Sequence, residues 1–140
     1  MPEFKLHYQV HSGKAGHGQL PLCELALIGP IRRVPINAVV DSGATHPMFP
    51  ASAARDAGID LSRALPTLVD FGGSATVGKL VRAYVEFVGL PDRRLCPDII
   101  FIEEEMKLGY ALLGRRGIFA QFAEIAFAEK IRPGQVIFRW

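Results

Sequence analysis

The chain has little of anything that would classify it by bulk chemistry. Only two cysteines, Cys23 and Cys96, occur in 140 residues, far apart and each inside an apolar, strand-like segment. Two buried thiols are the expected arrangement; a disulfide stays open, but no disulfide framework is implied. Charge of one sign is lacking as well. Sixteen basic residues against 14 acidic ones leave a formal charge of +2 with the signs interspersed, too small a bias to indicate nucleic acid or an anionic membrane surface as a partner. No apolar run has the length a bilayer span needs, and no charged-then-apolar leader opens the chain. A cytoplasmic protein is the default expectation. Repeats, low-complexity tracts and linkers are missing too. His7, His11 and His17 have no acidic or thiol partner nearby with which to hold a metal, and Glu103-Glu104-Glu105 reads as a solvated turn. Neither a metal nor a cofactor is expected.

What is present is a globular composition, 49% hydrophobic and 21% charged, in a length that suits one domain over residues 1–140 and can bury a core without staples. Residues 3–10 alternate apolar and polar, as a strand with one wet face does. Residues 20–28 read as a more buried strand, and residues 34–40 as another after the Gly29-Pro30 turn. Pro50 to Gly58 reads as a short helix, with proline near its start and glycine just past its end. Residues 65–71 and 75–90 read as two extended arms around Gly72-Gly73-Ser74. Further strands are expected at 95–102, 110–113 and 135–140, a period-two segment from Glu124, and a second short helix at 115–122, where Ile118, Phe119 and Phe122 would share a face. Eight or more short strands with only two short helices favour a closed or sandwich-like all-β fold. Phe119, Phe122 and Phe127 are read as core.

Asp41-Ser42-Gly43-Ala44-Thr45 carries the chemistry. The β-branched, apolar run from Val34 to Val40 delivers one carboxylate at a strand end into a tight glycine turn. Asp-Ser-Gly alone favours turns by its residue types, so the rest of the chain has to support a functional reading. Two segments do. Leu112-Leu113-Gly114-Arg115 follows some 70 residues downstream, and a glycine-tipped hairpin lies between the two motifs. A rival pattern, Gly73 to Lys79, has the glycine and lysine spacing of a phosphate-binding loop. Its next position is Leu80, where magnesium needs a hydroxyl, and residues 80–88 alternate like a strand where a helix should begin.

These residues resemble the retropepsin-like family of single-domain aspartic proteases. Asp41-Ser42-Gly43-Ala44 matches the active-site signature, Leu112-Leu113-Gly114-Arg115 matches the segment that packs beneath the catalytic turn, and the hairpin looks like the flap that folds over a bound peptide. The resemblance implies a closed β-barrel with a flap and one or two short helices. Such an enzyme needs two carboxylates and this chain has one Asp-Ser/Thr-Gly, so it also implies a homodimer. The two Asp41 carboxylates would hold a water between them; one takes its proton and the other polarises the scissile carbonyl. Two such charges at about 3 Å share a proton and titrate as a pair, which implies a weakly acidic optimum. Ser42 would tie the two turns across the two-fold axis and Gly43 would let backbone approach the carboxylates. Ala44 and Thr45 would line the cleft floor; Phe71, Gly72, Gly73 and Ser74 would contact an extended peptide from the flap. Leu113, Gly114 and Arg115 would support the site from beneath. Terminal strands interleave at the family's dimer interface, and residues 3–10 and 135–140 are placed for that.

One departure stands out. Retroviral members carry acidic residues just after the signature, one of which pairs with the family's helix-start arginine. Thr45 and His46 occupy those places here, so Arg115 needs another partner. The hydroxyl at Thr45 is more like the retrotransposon-type and cellular branch. The alternative to an aspartic endopeptidase is a catalytically silent retropepsin-like domain that binds peptide, or an interaction domain whose Asp-Ser-Gly is only a turn.

Overall fold

The computed structural model describes residues 2–13, 16–71, 73–103 and 111–140. The chain opens with β1 (Glu3–His7), β2 (Gln9–Gly13) and β3 (Gly16–Leu20), then β4 (Leu22–Ile28) and β5 (Arg33–Val40). After the Asp41 turn come β6 (Met48–Pro50), helix α1 (Ala51–Ala57) and a long hairpin of β7 (Leu65–Phe71) and β8 (Ser74–Arg82). β9 (Tyr84–Phe87), β10 (Leu90–Leu95), β11 (Asp98–Ile102), β12 (Ala111–Leu113), β13 (Glu124–Ala128) and β14 (Gln135–Arg139) complete the series.

Nine of these strands form one sheet in the order β10-β9-β4-β5-β12-β6-β11-β8-β7. A second sheet has the order β1-β14-β13, and β2 and β3 pair only with each other. The protein is thus mostly β, as expected, but the expected closed barrel is not what is found: among the described residues no sheet closes on itself. The two ends of the large sheet explain it. β10 carries Asp92-Arg93-Arg94, charges that suit an unpaired edge, and the outer edge of β7 borders the cleft described below.

The middle strands of the large sheet read as unbroken apolar runs because both of their faces are covered. Alternation sends Phe49, Ile99, Phe101 and Leu113 to the main core and Met48, Ile100, Ile102 and Leu112 to a second, smaller cluster on the other face. The main core is dominated by rings: Phe138 has no exposure and sits 5.2 Å from Phe87 and 5.0 Å from Phe122 between centroids. The ends of the chain are joined to this core within a single copy. β14 lies between β1 and β13, with Glu3 and Glu124 both opposite Arg139 and both bonded to its guanidinium. Of residues 3–10 and 135–140, placed by resemblance to interleave with a second copy, 3–7 and 135–139 here pair with each other.

Several local readings need correction. Residues 3–10 divide at Tyr8, whose N–H donates to Gly134 and whose ring is buried. Residues 75–90 divide at Ala83: β8 pairs with β7 and β11, whereas β9 crosses to β4 and β10. The helix expected at 115–122 shrinks to a single 3-10 turn, Phe119–Gln121, because Gly117 takes φ +75° in the middle of the segment and breaks any regular coil. The regular helix is α1, where Ala51, Ala53, Ala54 and Ala57 are buried and Gly58 closes the end in the left-handed conformation. Cys23 is buried, which pushes its thiol pKa up, but Cys96 is exposed and both are free. Glu86 is buried against Arg33 and Arg94. Tyr110, Glu104 and Glu105 lie outside the described residues. No helix among the described residues is long and apolar enough to cross a membrane.

Candidate active site

The Asp41 turn is built by three strands. β5 runs into it with Ile36, Ala38 and Val40 buried, and β6 leaves it through Met48 and Phe49, also buried. β12 is inserted between the two. It pairs parallel with β5, Ala111 to Leu113 against Ala38 to Val40, and antiparallel with β6 through Leu112 and Met48. The Asp41 N–H donates to the Leu113 carbonyl at 3.1 Å, so the turn starts where the parallel ladder ends. An Asp at this point is held by backbone it does not itself provide.

Within the turn, Asp41 Oδ1 accepts the Gly43 N–H at 2.8 Å, and the Asp41 carbonyl accepts the Ala44 N–H at 3.2 Å. This is an Asx-type turn. A Cβ at Gly43 would stand 3.2 Å from Asp41 Oδ1, which is crowded for the oxygen that accepts the turn's own N–H. Gly114 is needed more strictly: a Cβ there would lie 2.3 Å from the His46 carbonyl carbon and 2.4 Å from its oxygen. The backbone can therefore pass directly beneath the turn. Immediately after it, the Arg115 N–H donates to Ala44 O at 2.9 Å and the Arg116 N–H to Thr45 O at 2.8 Å. Leu113 and Arg115 are thus tied to the turn through main-chain bonds, with Gly114 packed against the His46 backbone between them.

Asp41 faces a cleft of about 730 Å³. Gly43, Ala44, Thr45 and His46 line it from the turn, and Met48, Ile100 and Leu112 form an apolar floor from the second cluster. The wall comes from β7, where the consecutive residues Thr67, Leu68, Val69 and Asp70 all border the cleft, with Leu80 from β8. Consecutive residues point to alternate faces of a strand; four in a row along a cleft mean that the strand presents its edge. β7 is the last strand of its sheet, so that edge is unpaired among the described residues. Ser42 is exposed in the turn and is not among the lining residues. Asp41 has no cationic partner among the described residues.

The hairpin expected as a flap is present, with Phe71 opposite Ser74 at its end and Gly73 in its turn at φ +81°. Gly72 lies outside the described residues. The described lining comes from the shaft at Thr67 to Asp70, which sequence reasoning passed over in favour of the tip. Met48, Ile100 and Leu80 were missed as well. The parallel pairing of β6 with β11 that brings Met48 beside Ile100 joins residues about fifty positions apart, and nothing local announces it. The phosphate-loop spacing of Gly73 to Lys79 falls on the hairpin turn and β8, with Lys79 opposite Phe101 and no helix following.

No protein-family model matches the sequence, and no curated protein matches it. Among solved structures, the crystal structure of a retropepsin-like aspartic protease from Rickettsia conorii superposes with a TM-score of 0.61 at 15% identity, over 98% of this chain and 89% of that one. At that identity the likeness is one of fold: the chain has a retropepsin-like architecture, reached with a largely different sequence.

Proposed function

We propose that residues 1–140 are one retropepsin-like unit and that the chain is an aspartic endopeptidase working as a homodimer. The observation that carries this reading is the Asp41 turn itself. A carboxylate is fixed by three strands at the end of an apolar cleft and is left without a cation to neutralise it, beside an unpaired strand edge. A peptide laid along β7 in extended form would find main-chain partners there, with side-chain recesses in the floor. Ala44, Thr45 and the hairpin residues Phe71 to Ser74 would complete the substrate contacts. The chemistry needs a second carboxylate, which a second copy supplies. Asp41 and its mate would share a proton, so that one acts as base towards water while the other polarises the carbonyl. Ser42, exposed beside Asp41, is free to bond across the two-fold axis. No metal or cofactor enters this scheme.

The single carboxylate per chain also supports a second reading, in which the same cleft binds peptide without cutting it. One experiment separates the two. Wild type and Asp41→Asn are incubated with a diverse peptide library from about pH 4 to 7, the range over which a carboxylate pair holds one proton. Cuts made by wild type and lost by at least about a thousandfold in Asp41→Asn, with unchanged folding, are expected, since removing a member of a catalytic unit costs on that order or more. Comparable turnover in the variant, or no cuts by a folded dimer, would end the endopeptidase reading. A monomeric mass at high micromolar concentration would count against the two-fold mechanism on its own.

A further inference from the structure

With Thr45 and His46 where retroviral members carry acids, Arg115 needs another partner, and none is found among the described residues. Neither the Arg115 nor the Arg116 side chain has a hydrogen bond, ion pair or ring contact among the described residues, and both are exposed. Most of the other arginines have partners. Arg33 and Arg94 hold Glu86, Arg55 holds Glu103, Arg82 holds Asp98, and Arg139 holds Glu3 and Glu124. Arg93 is stacked 4.9 Å and 4.7 Å from the centres of Phe122 and Trp140. Arg32 and Arg63 are also unpartnered, but neither is bonded to the cleft. Arg115 and Arg116 are, through main-chain bonds of 2.9 Å and 2.8 Å to Ala44 and Thr45, both of which line it.

We propose that Arg115, with Arg116 beside it, selects substrates by an acidic side chain outside the pair of residues that flank the cut bond. This rests on the peptide-binding reading of the cleft. Arginine keeps its charge at any working pH and offers a fork that fits a carboxylate in bidentate geometry. The cleft's own carboxylates sharpen the selection. Asp41 lies in the turn and Asp70 on the β7 wall, so a substrate acid is repelled near these two, whereas Arg115 and Arg116, which do not themselves line the cleft, are exposed and bonded to its Ala44-Thr45 edge, where they can meet an acid away from the cleft's centre. Attraction at one position and repulsion at others give register as well as affinity.

The test is binding, read separately from cleavage. Three peptide pools, identical except for Glu, Gln or Lys at the third and fourth positions either side of the centre, are titrated onto the intact dimer and onto Asp41→Asn. The Glu pool is expected to bind about fivefold tighter than the Gln pool, the scale of an exposed charge pair, with the Lys pool weakest. The ratio falls towards one as salt rises to about 1 M, where screening acts within about 3 Å. Arg115→Gln keeps the backbone donor but loses the ratio; Arg115→Lys keeps much of it; Arg115→Glu reverses it in favour of Lys. If the position-115 variants do not fold, Arg116→Gln and the salt series on the unaltered chain decide. Equal binding of the Glu and Gln pools, no binding of any pool, or a preference that survives both Arg115→Gln and Arg116→Gln overturns the proposal. So does a loss of dimer mass in Arg115→Gln with the Glu-to-Gln ratio unchanged, because the missing acid would then belong to the second copy. Absence of cleavage by wild type while the Glu preference persists would sink the endopeptidase reading and leave this one standing.

Discussion

The sheet that joins the chain ends and the turn that carries Asp41 treat charge in opposite ways. Around β1, β13 and β14, polar groups are closed off within the chain. Arg139 is clamped between Glu3 and Glu124, Tyr8 donates to Glu129 at 2.6 Å, and Arg93 lies against two rings. The neighbouring strands bury Glu86 between two arginines. Around the Asp41 turn the pattern reverses. Asp41 accepts one backbone N–H, Arg115 and Arg116 donate to no acid among the described residues, and the β7–β8 hairpin exposes Leu65, Leu68 and Val77 to 65%, 75% and 57%. Leu68 and Val77 stand directly opposite each other on the outer face. A fold that satisfies its charges on one side and leaves them open on the other concentrates stability in the first and capacity for partners in the second.

The largest effect that would break this comparison is expected on the closed side. Phe138 has no exposure and meets Phe4, Phe87 and Phe122. Phe138→Ala should cost about 3–5 kcal/mol, measured by denaturant unfolding, and lose whatever activity depends on the folded state only in proportion to the unfolded fraction. Next is Gly114→Ala. The added Cβ would meet His46 backbone at 2.3 Å, and backbone cannot rotate away as a side chain can. A loss of about 1–3 kcal/mol is expected from the overpacking, with a larger loss of the proposed peptide cleavage than of stability because the shift falls on the Asp41 turn. If Gly114→Ala loses stability and cleavage in the same proportion, the turn is not a separate functional region and the contrast fails.

Much of this was legible in the sequence, for identifiable reasons. The Asp41 turn could be read because its strand, its carboxylate and its glycine are contiguous, and the support segment because Leu112 to Arg115 is equally compact. The hairpin could be read from its alternation and its Gly72-Gly73 tip. What could not be read depends on long-range pairing. Met48, Ile100 and Leu112 meet on one face only because β6, β11 and β12 become neighbours, and each sits in a run apolar at every position, so period two gives no hint of which residues face the cleft. Nothing local marks Glu86 as a buried charge, because its partners Arg33 and Arg94 lie on other strands. The helix at 115–122 failed for a local reason, since a shared apolar face says nothing about the backbone that Gly117 adopts.

Glu86 supplies the smallest and most diagnostic effect. Hydrogen bonds from Arg33 first, then from Arg94, hold its carboxyl pKa below the ordinary 4.5. A group whose pKa is lowered by folding releases its proton more readily when folded, so its contribution to stability is complete above about pH 4.5 and is lost as pH falls through the folded value. Glu86→Gln keeps the shape and removes the charge. Both arginines are about half exposed, so water can replace part of what they lose. The variant should have a lower unfolding midpoint than wild type at pH 7, with the gap narrowing below pH 4.5 as the wild-type carboxyl takes up its proton. Peptide cleavage per folded molecule should not change, because Glu86, Arg33 and Arg94 do not line the cleft. A gap that stays constant down to pH 3 would show that the carboxylate's charge is not what the triad uses. A change in cleavage at pH 7 would show that the closed side reaches the Asp41 turn after all.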